Sequence, residues 1–359
     1  MLAMACLLLC LLMEKNLIQG HIDGAAYWFS SDGPQYYNMY LNYIELNYFT
    51  SDFFRFGNPL LYVLIGVGLP SLTLWFTDGG MWLTNLLNVL FLFWGLIALL
   101  KSLPENTDIV GAIRWKFLGS FLLFPYVLAG IISINKEIFC LASALFFSAY
   151  FLKGDRKYLF LTFFSAFLSR YFLVVVYIVV VIAISSFNIM DRRWFKGLLV
   201  ICALIFSFII PVLFKVDYPG YSIEDNLDTY GTANNLFISL QNIGWYFLVY
   251  PLKLFALASS KLLNFFKGTL DFENRPADYM ELLVSVYSVI IMTIAGWLLA
   301  TRKLHDIPRR FIWLGFLSPY ILAWAPTYHW RYYIFSVVFW LMGILLRKYS
   351  CMGISQGKV

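Results

Sequence analysis

Eleven runs of apolar residues joined by short polar links constrain this chain more than any other feature: 2–13, 59–76, 81–100, 117–134, 138–152, 158–187, 197–214, 242–259, 279–300, 310–326 and 332–346. A soluble core must leave enough polar residues to cover it. Here 61% of the 359 residues are hydrophobic and 13% charged, against about 45–50% and about 25% in ordinary soluble domains. The chain therefore reads as all-α and polytopic, one integral membrane domain over 1–359. Aromatics make up 20% of it, and Tyr and Trp favour the headgroup belt, so many interfaces are implied. Cys6, Cys10, Cys140 and Cys202 lie in apolar runs and Cys351 near the end. None has metal-ligand spacing, so neither a disulfide framework nor a zinc site is indicated. The net charge of +6 is spread over the links, a pattern of membrane orientation rather than of nucleic-acid binding.

Lysines and arginines set the expected orientation. The links with Lys153, Arg156 and Lys157, with Arg192, Arg193 and Lys196, and with Arg302, Lys303, Arg309 and Arg310, and the tail with Arg347, Lys348 and Lys358, read as cytoplasmic. Residues 14–58 hold five acids and two bases, and 215–235 four acids and one base, so both read as outside. Two cytoplasmic links flank 158–187, which makes that run a hairpin with its apex at Ser169-Arg170-Tyr171. By the same parity Asn135-Lys136-Glu137 falls outside and 101–116 inside. Gly66, Gly68 and Pro70 interrupt 59–76, and Pro251 and Lys253 mark 242–259, so both read as re-entrant or interfacial. Ten crossings remain, with both termini inside and two outer regions, 14–80 with its interfacial helix and 215–278. Run 2–13 makes only about 20 Å of helix against a core of about 30 Å. With no basic n-region and no clear cleavage site, it reads as an anchor rather than a signal peptide.

This topology gathers Asp32, Lys136, Glu137, Arg170 and Arg331 on the outer face. Asp32, in Ser31-Asp32-Gly33-Pro34-Gln35-Tyr36-Tyr37, offers a carboxylate for proton transfer, although Ser-Asp-Gly-Pro is also turn chemistry. Lys136 and Glu137 present an ammonium and a carboxylate between two apolar helices. The blander alternative has Lys136 snorkelling and Glu137 sitting at the positive end of the next helix. Arg170 costs about 2.5 kcal/mol or more at mid-depth unless paired or hydrated, which marks it as a functional candidate. A guanidinium there suits phosphate or pyrophosphate. Arg331, within Tyr328-His329-Trp330-Arg331-Tyr332-Tyr333, opens the last run; an Arg among aromatics also anchors helix ends. His329 is a candidate phosphate contact or proton carrier. No phosphate loop, nucleophile elbow, HExxH or paired-Cys motif occurs.

In order and spacing these elements resemble the multi-pass glycosyltransferases of the GT-C type and the related bacterial O-antigen and capsule polymerases. The resemblance rests on Asp32 to Tyr37 after the first crossing and on the Pro-led segment Asn58-Pro59-Leu60-Leu61-Tyr62. It extends to Pro125-Tyr126 leading to Lys136-Glu137, to a short hairpin with Arg170-Tyr171 at its apex, and to Arg331-Tyr332. Residues 215–278 have no counterpart. The resemblance implies glycosyl transfer at the outer face of the inner membrane, from a polyprenyl-phosphate- or pyrophosphate-linked sugar or oligosaccharide to a glycan acceptor. The product would be surface polysaccharide or lipopolysaccharide, built by single-sugar addition or by repeat-unit polymerisation beside other assembly proteins. Asp32 would be the base, and Lys136, Arg170 and Arg331 would neutralise the leaving phosphate. Glu137 would be the second carboxylate, and Tyr36 and Tyr37 would stack on sugars. No second acid adjoins Asp32, so no metal or other cofactor is expected. The alternative is a transporter or a flippase of lipid-linked glycans. Transporters often show internal repeats and midplane sites, whereas here no repeat appears and the charges gather at one rim.

Overall fold

The computed structural model describes residues 82–103, 108–127, 136–184, 245–268, 277–301, 306–322 and 333–347, with a few single positions between them. The outer region 14–80, the runs 2–13 and 59–76, and Asp32, Tyr36, Tyr37, His329 and Arg331 lie outside the described residues, as does most of 197–241. The described residues are helical and contain no strand. In chain order the helices are α1 (Trp82–Ser102), α2 (Asp108–Leu122), α3 (Glu137–Lys153), α4 (Arg156–Ser169), α5 (Tyr171–Ile184), α6 (Tyr246–Phe266), α7 (Ala277–Ala300), α8 (Asp306–Leu322) and α9 (Ile334–Leu346).

Local chemistry explains the breaks. Helix α3 stops at Gly154, whose φ of 73° places it in the left-handed region, and its N–H returns to the Tyr150 carbonyl. Glycine takes that conformation without a Cβ penalty. The next residue, Asp155, caps α4 by accepting from the Lys157 N–H at 3.1 Å. A C-cap and an N-cap back to back reverse the chain in two residues. Between α4 and α5 the break is a single residue. Arg170 has φ −156° and ψ 117°, its N–H bonds the Ala166 carbonyl at 2.7 Å, and its own carbonyl accepts from Leu173 at 2.9 Å. The apolar run 158–187 is thus divided at the expected apex.

Ring and hydrogen-bond contacts fix the relative directions. Phe91 meets Phe139 at 5.0 Å, and Gly95 lies close to Leu145 and the Ala142 carbonyl, so α1 runs parallel to α3. Helix α4 returns beside α3, which brings Arg170 level with Glu137. The Tyr177 hydroxyl meets the Ser143 hydroxyl at 2.9 Å and the Tyr177 ring meets Phe147 at 5.1 Å, so α5 descends parallel to α3. Phe147 against Phe339 and Phe151 against Phe311 carry the same levels to α9 and α8. Helices α8 and α9 cross closely. A Cβ on Gly315 would come within 2.4 Å of the Trp340 indole, and one on Gly343 within 2.4 Å of Ile312. Small residues at such contacts let backbones approach, as in membrane bundles. Helices α6 and α7 join through the Lys261–Glu281 ion pair at 2.8 Å. Tyr287 of α7 donates to the Ser120 carbonyl of α2 at 2.6 Å.

Two details of the helices follow from packing. Residues Tyr246–Phe266 form one continuous helix across Pro251. Helix α6 continues through it to Phe266, with Lys253 buried; a proline in the second turn costs a backbone bond but does not stop a helix packed on one side. The link 101–116 is shorter than expected, since α2 begins at Asp108 and carries Arg114 and Lys116 on helix. Arg114 reaches back to the Leu103 carbonyl at 3.4 Å, next to the negative end of α1.

Helices α3 and α9 are buried almost throughout and form the centre. Around them the outward faces are also apolar: Leu90, Trp94 and Ile97 on α1, Val175, Ile178 and Ile182 on α5, and Leu283, Ile290 and Trp297 on α7 are exposed at helical spacing. Water penalises apolar stripes of that extent. Among the described residues one segment, Tyr279–Ala300, is long and apolar enough by itself to cross a membrane, and Leu86–Ser102, Leu173–Ile182 and Ile334–Leu346 are shorter apolar helices.

Candidate functional site

The bundle has two chemically distinct ends. Lys101, Lys153, Arg156, Lys157, Arg309 and Arg347 are exposed at or near one of them. Exposed Trp94, Trp115, Trp297 and Trp313 lie within about 5–12 Å of it along their helices. At this end Asp155 and Lys157 pair at 2.9 Å in contact with solvent. The hydrogen bond from Lys157 holds the Asp155 carboxyl below the usual range, and Asp155 in turn raises the Lys157 ammonium.

Toward the opposite end, where α3 begins, three charges are largely inside, while Lys261 and Glu281 are partly exposed and Lys267 is exposed. Lys136, which precedes α3, is 6% exposed, Glu137 is 1% exposed, and the Arg170 side chain is 13% exposed. Glu137 occupies the first position of α3, where the unsatisfied amides of a helix start favour an anion. Arg170 reaches it from the corner between α4 and α5. Its Nε lies 3.2 Å from Oε1 and 3.4 Å from Oε2, and its Nη2 also bonds Oε1. Both carboxylate oxygens are therefore engaged by one guanidinium. This fork has two guanidinium nitrogens converging on Oε1, with Oε2 reached only from Nε, a contact that a lysine in place of Arg170 would not make. Lys136, Glu137 and Arg170 together carry a formal charge of +1.

Of the residues singled out from sequence, the structure thus brings Lys136, Glu137 and Arg170 together. From sequence both elements fall on the outer rim, but no local spacing pairs the carboxylate with the guanidinium. Lys136 does not snorkel outward; it is buried. Beneath the pair lies a polar file that adds to the residues singled out from sequence. Cys140 is one turn below Glu137 and fully buried beside Ser169. Ser143, one turn further, donates to the Cys140 carbonyl at 2.7 Å and receives the Tyr177 hydroxyl. A signal for this file existed: Glu137, Cys140 and Ser143 recur at i, i+3 and i+6, and Arg170 and Tyr177 at i and i+7, spacings that put polar side chains on one helical face. Among the described residues no three His, Cys, Asp or Glu side chains gather in a way that could hold a metal ion. No protein-family model, curated protein or solved structure matches the chain.

Proposed function

We propose that this protein is a multi-pass inner-membrane glycosyltransferase that uses a sugar or oligosaccharide carried on polyprenyl phosphate or pyrophosphate. It acts at the extracytoplasmic face in surface polysaccharide assembly. The observation that carries this reading is the buried Lys136, Glu137 and Arg170 cluster at one end of a bundle whose other end displays exposed bases. An excess of exposed lysine and arginine marks a cytoplasmic face and tryptophans mark the interface next to it, so the buried cluster belongs to the outer side. Apolar stripes facing outward support a bilayer around the helices. The helices described other than α6 are among the ten crossings in this reading, with 59–76 and 242–259 as the non-crossing segments.

Chemically, the acceptor hydroxyl attacks the anomeric carbon of the donor as the bond from that carbon to the phosphate oxygen breaks, and the acceptor proton passes to Asp32. Negative charge then grows on the departing phosphate. Preorganised cations stabilise such charge far better in a water-poor site than in bulk solvent. Lys136 and Arg170 supply those cations, with Arg331 and His329 as further phosphate contacts and Tyr36 and Tyr37 as sugar platforms. Glu137, with both oxygens turned to Arg170, acts as the counter-charge that orients the guanidinium rather than as a second base.

The test is complementation of a strain lacking the gene, with Asp32→Asn and Arg170→Ala in the full chain. Both variants, expressed and inserted, are expected to lose the surface glycan ladder on gels. Normal ladders from both would overturn the reading. Solute uptake that depends on this protein, with glycan unchanged, would favour a transporter instead.

A further inference from the structure

The Glu137 pair ties the corner at Arg170 to α3, and a further tie below it lies outside the chemistry described above. Seven residues below Arg170, Tyr177 meets Ser143, six residues below Glu137, so the two ties are separated by about 9–10 Å along parallel helices. Tyr177 and Ser143 are both 0% exposed. The Ser143 hydroxyl already gives its proton to the Cys140 carbonyl. Tyr177 must therefore be the donor, in a directed chain from Tyr177 to Ser143 to the backbone of α3. That chain ties the Tyr177 face of α5 to α3. Because α4 ends and α5 begins on Arg170 with no spacer residue, the same tie bears on where the guanidinium is aimed. The ring of Tyr177 packs independently against Phe147 at 5.1 Å and Phe335 at 6.5 Å, so the hydroxyl serves alignment and the ring serves the core.

We infer that Tyr177, through its hydrogen bond to Ser143, is a positioning residue for Arg170, holding the corner between α4 and α5 in the register that meets Glu137 and an anionic phosphate. The functional half of this inference rests on the phosphate-binding reading of Arg170.

The test uses the full chain in lipid nanodiscs with farnesyl pyrophosphate as the probe. Tyr177→Phe keeps the ring and removes the hydroxyl. It is expected to weaken probe binding about threefold to tenfold, the range given by one net hydrogen bond. Ser143→Ala should do the same, and the double variant should lose no more. In an Arg170→Lys background, Tyr177→Phe should have little further effect, because the fork it aligns is gone. Binding by Tyr177→Phe equal to wild type, or an undiminished loss in the Arg170→Lys background, overturns the inference. If Arg170→Ala itself binds the probe as wild type does, it is the phosphate reading that fails. A second measurement needs no ligand: a thermal-unfolding cycle between Tyr177→Phe and Glu137→Gln. Sites this far apart add unless something links them. Non-additive shifts are expected, and additive shifts overturn the positioning role whatever the probe does.

Discussion

Each end of the bundle carries a carboxylate and a base at the start of a helix, yet the two pairs belong to different physical regimes. Asp155 and Lys157 stand in solvent, 32% and 63% exposed, where water screens their attraction and the geometry contributes little to stability. Glu137 and Arg170 are enclosed between α3 and the corner of α4 and α5. There each charge depends on the other, because neither is well solvated. What separates the ends is the surround rather than the residue types. An aspartate that serves as an ordinary helix cap and a glutamate that binds an arginine differ in what is packed over them.

The comparison breaks most visibly at the level of orientation. A reporter fused after Lys157 is expected to read cytoplasmic, and replacing Lys153, Arg156 and Lys157 with Glu should invert it or give a mixed population. Finding the native Lys157 outside would separate the buried cluster from the outer face and undo the proposed site. Next in size is the buried pair itself. Arg170→Ala or Glu137→Ala breaks the enclosed ion pair and is expected to cost about 3–5 kcal/mol, measured by unfolding of the purified full chain. Replacing both with apolar residues should recover much of that loss. If the single variants cost no more than a surface change, the enclosure described here is wrong.

A smaller effect probes the frame that holds the two ends apart. Gly343→Leu forces a side chain into Ile312 and the Pro308 carbonyl and should destabilise by about 1–3 kcal/mol. Gly111, with open space around its Cβ position, should accept Ala with a slight gain in helix stability. The smallest effect belongs to the exposed pair. Asp155→Asn should shift unfolding less than either buried variant, and added salt should erase the shift. Its pH dependence has a defined sign. The Asp155 carboxyl is held below its ordinary value of 3.8, so its contribution is present above that pH and fades as the pH falls through the lowered value. The Lys157 ammonium is raised above 10.5, so its contribution is complete below that pH and is lost as the pH rises beyond the raised value. Melting curves of wild type and Asp155→Asn across pH should converge at both extremes.

Much of the helical framework was legible because its signals are local. The turn at Gly154 and Asp155 follows from a glycine that tolerates positive φ and an aspartate that caps. The break at Arg170 follows from a charge that interrupts an apolar run with bases on both sides. Helix α6 was less legible, since Pro251 and Lys253 look like interruptions until packing places both within a continuous helix. Lys136, Glu137 and Arg170 were recognisable as unusual because charges in apolar surroundings are costly wherever they sit. Their pairing was not, because 33 residues separate Glu137 from Arg170 and no local rule links them.

The sequence by itself determined that this chain is built of apolar helices and that its charges divide into basic links and a few exceptions. Those outcomes depend on composition, periodicity and the cost of moving a charge from water, which are properties of residues taken one segment at a time. Only the tertiary structure decided that Glu137 receives Arg170, that Tyr177 donates to Ser143, and that α3 and α9 lie at the centre. These depend on the rotation and depth at which one helix meets another, which small contacts such as Gly95 on Leu145 and Gly315 on Trp340 set and apolar periodicity leaves open.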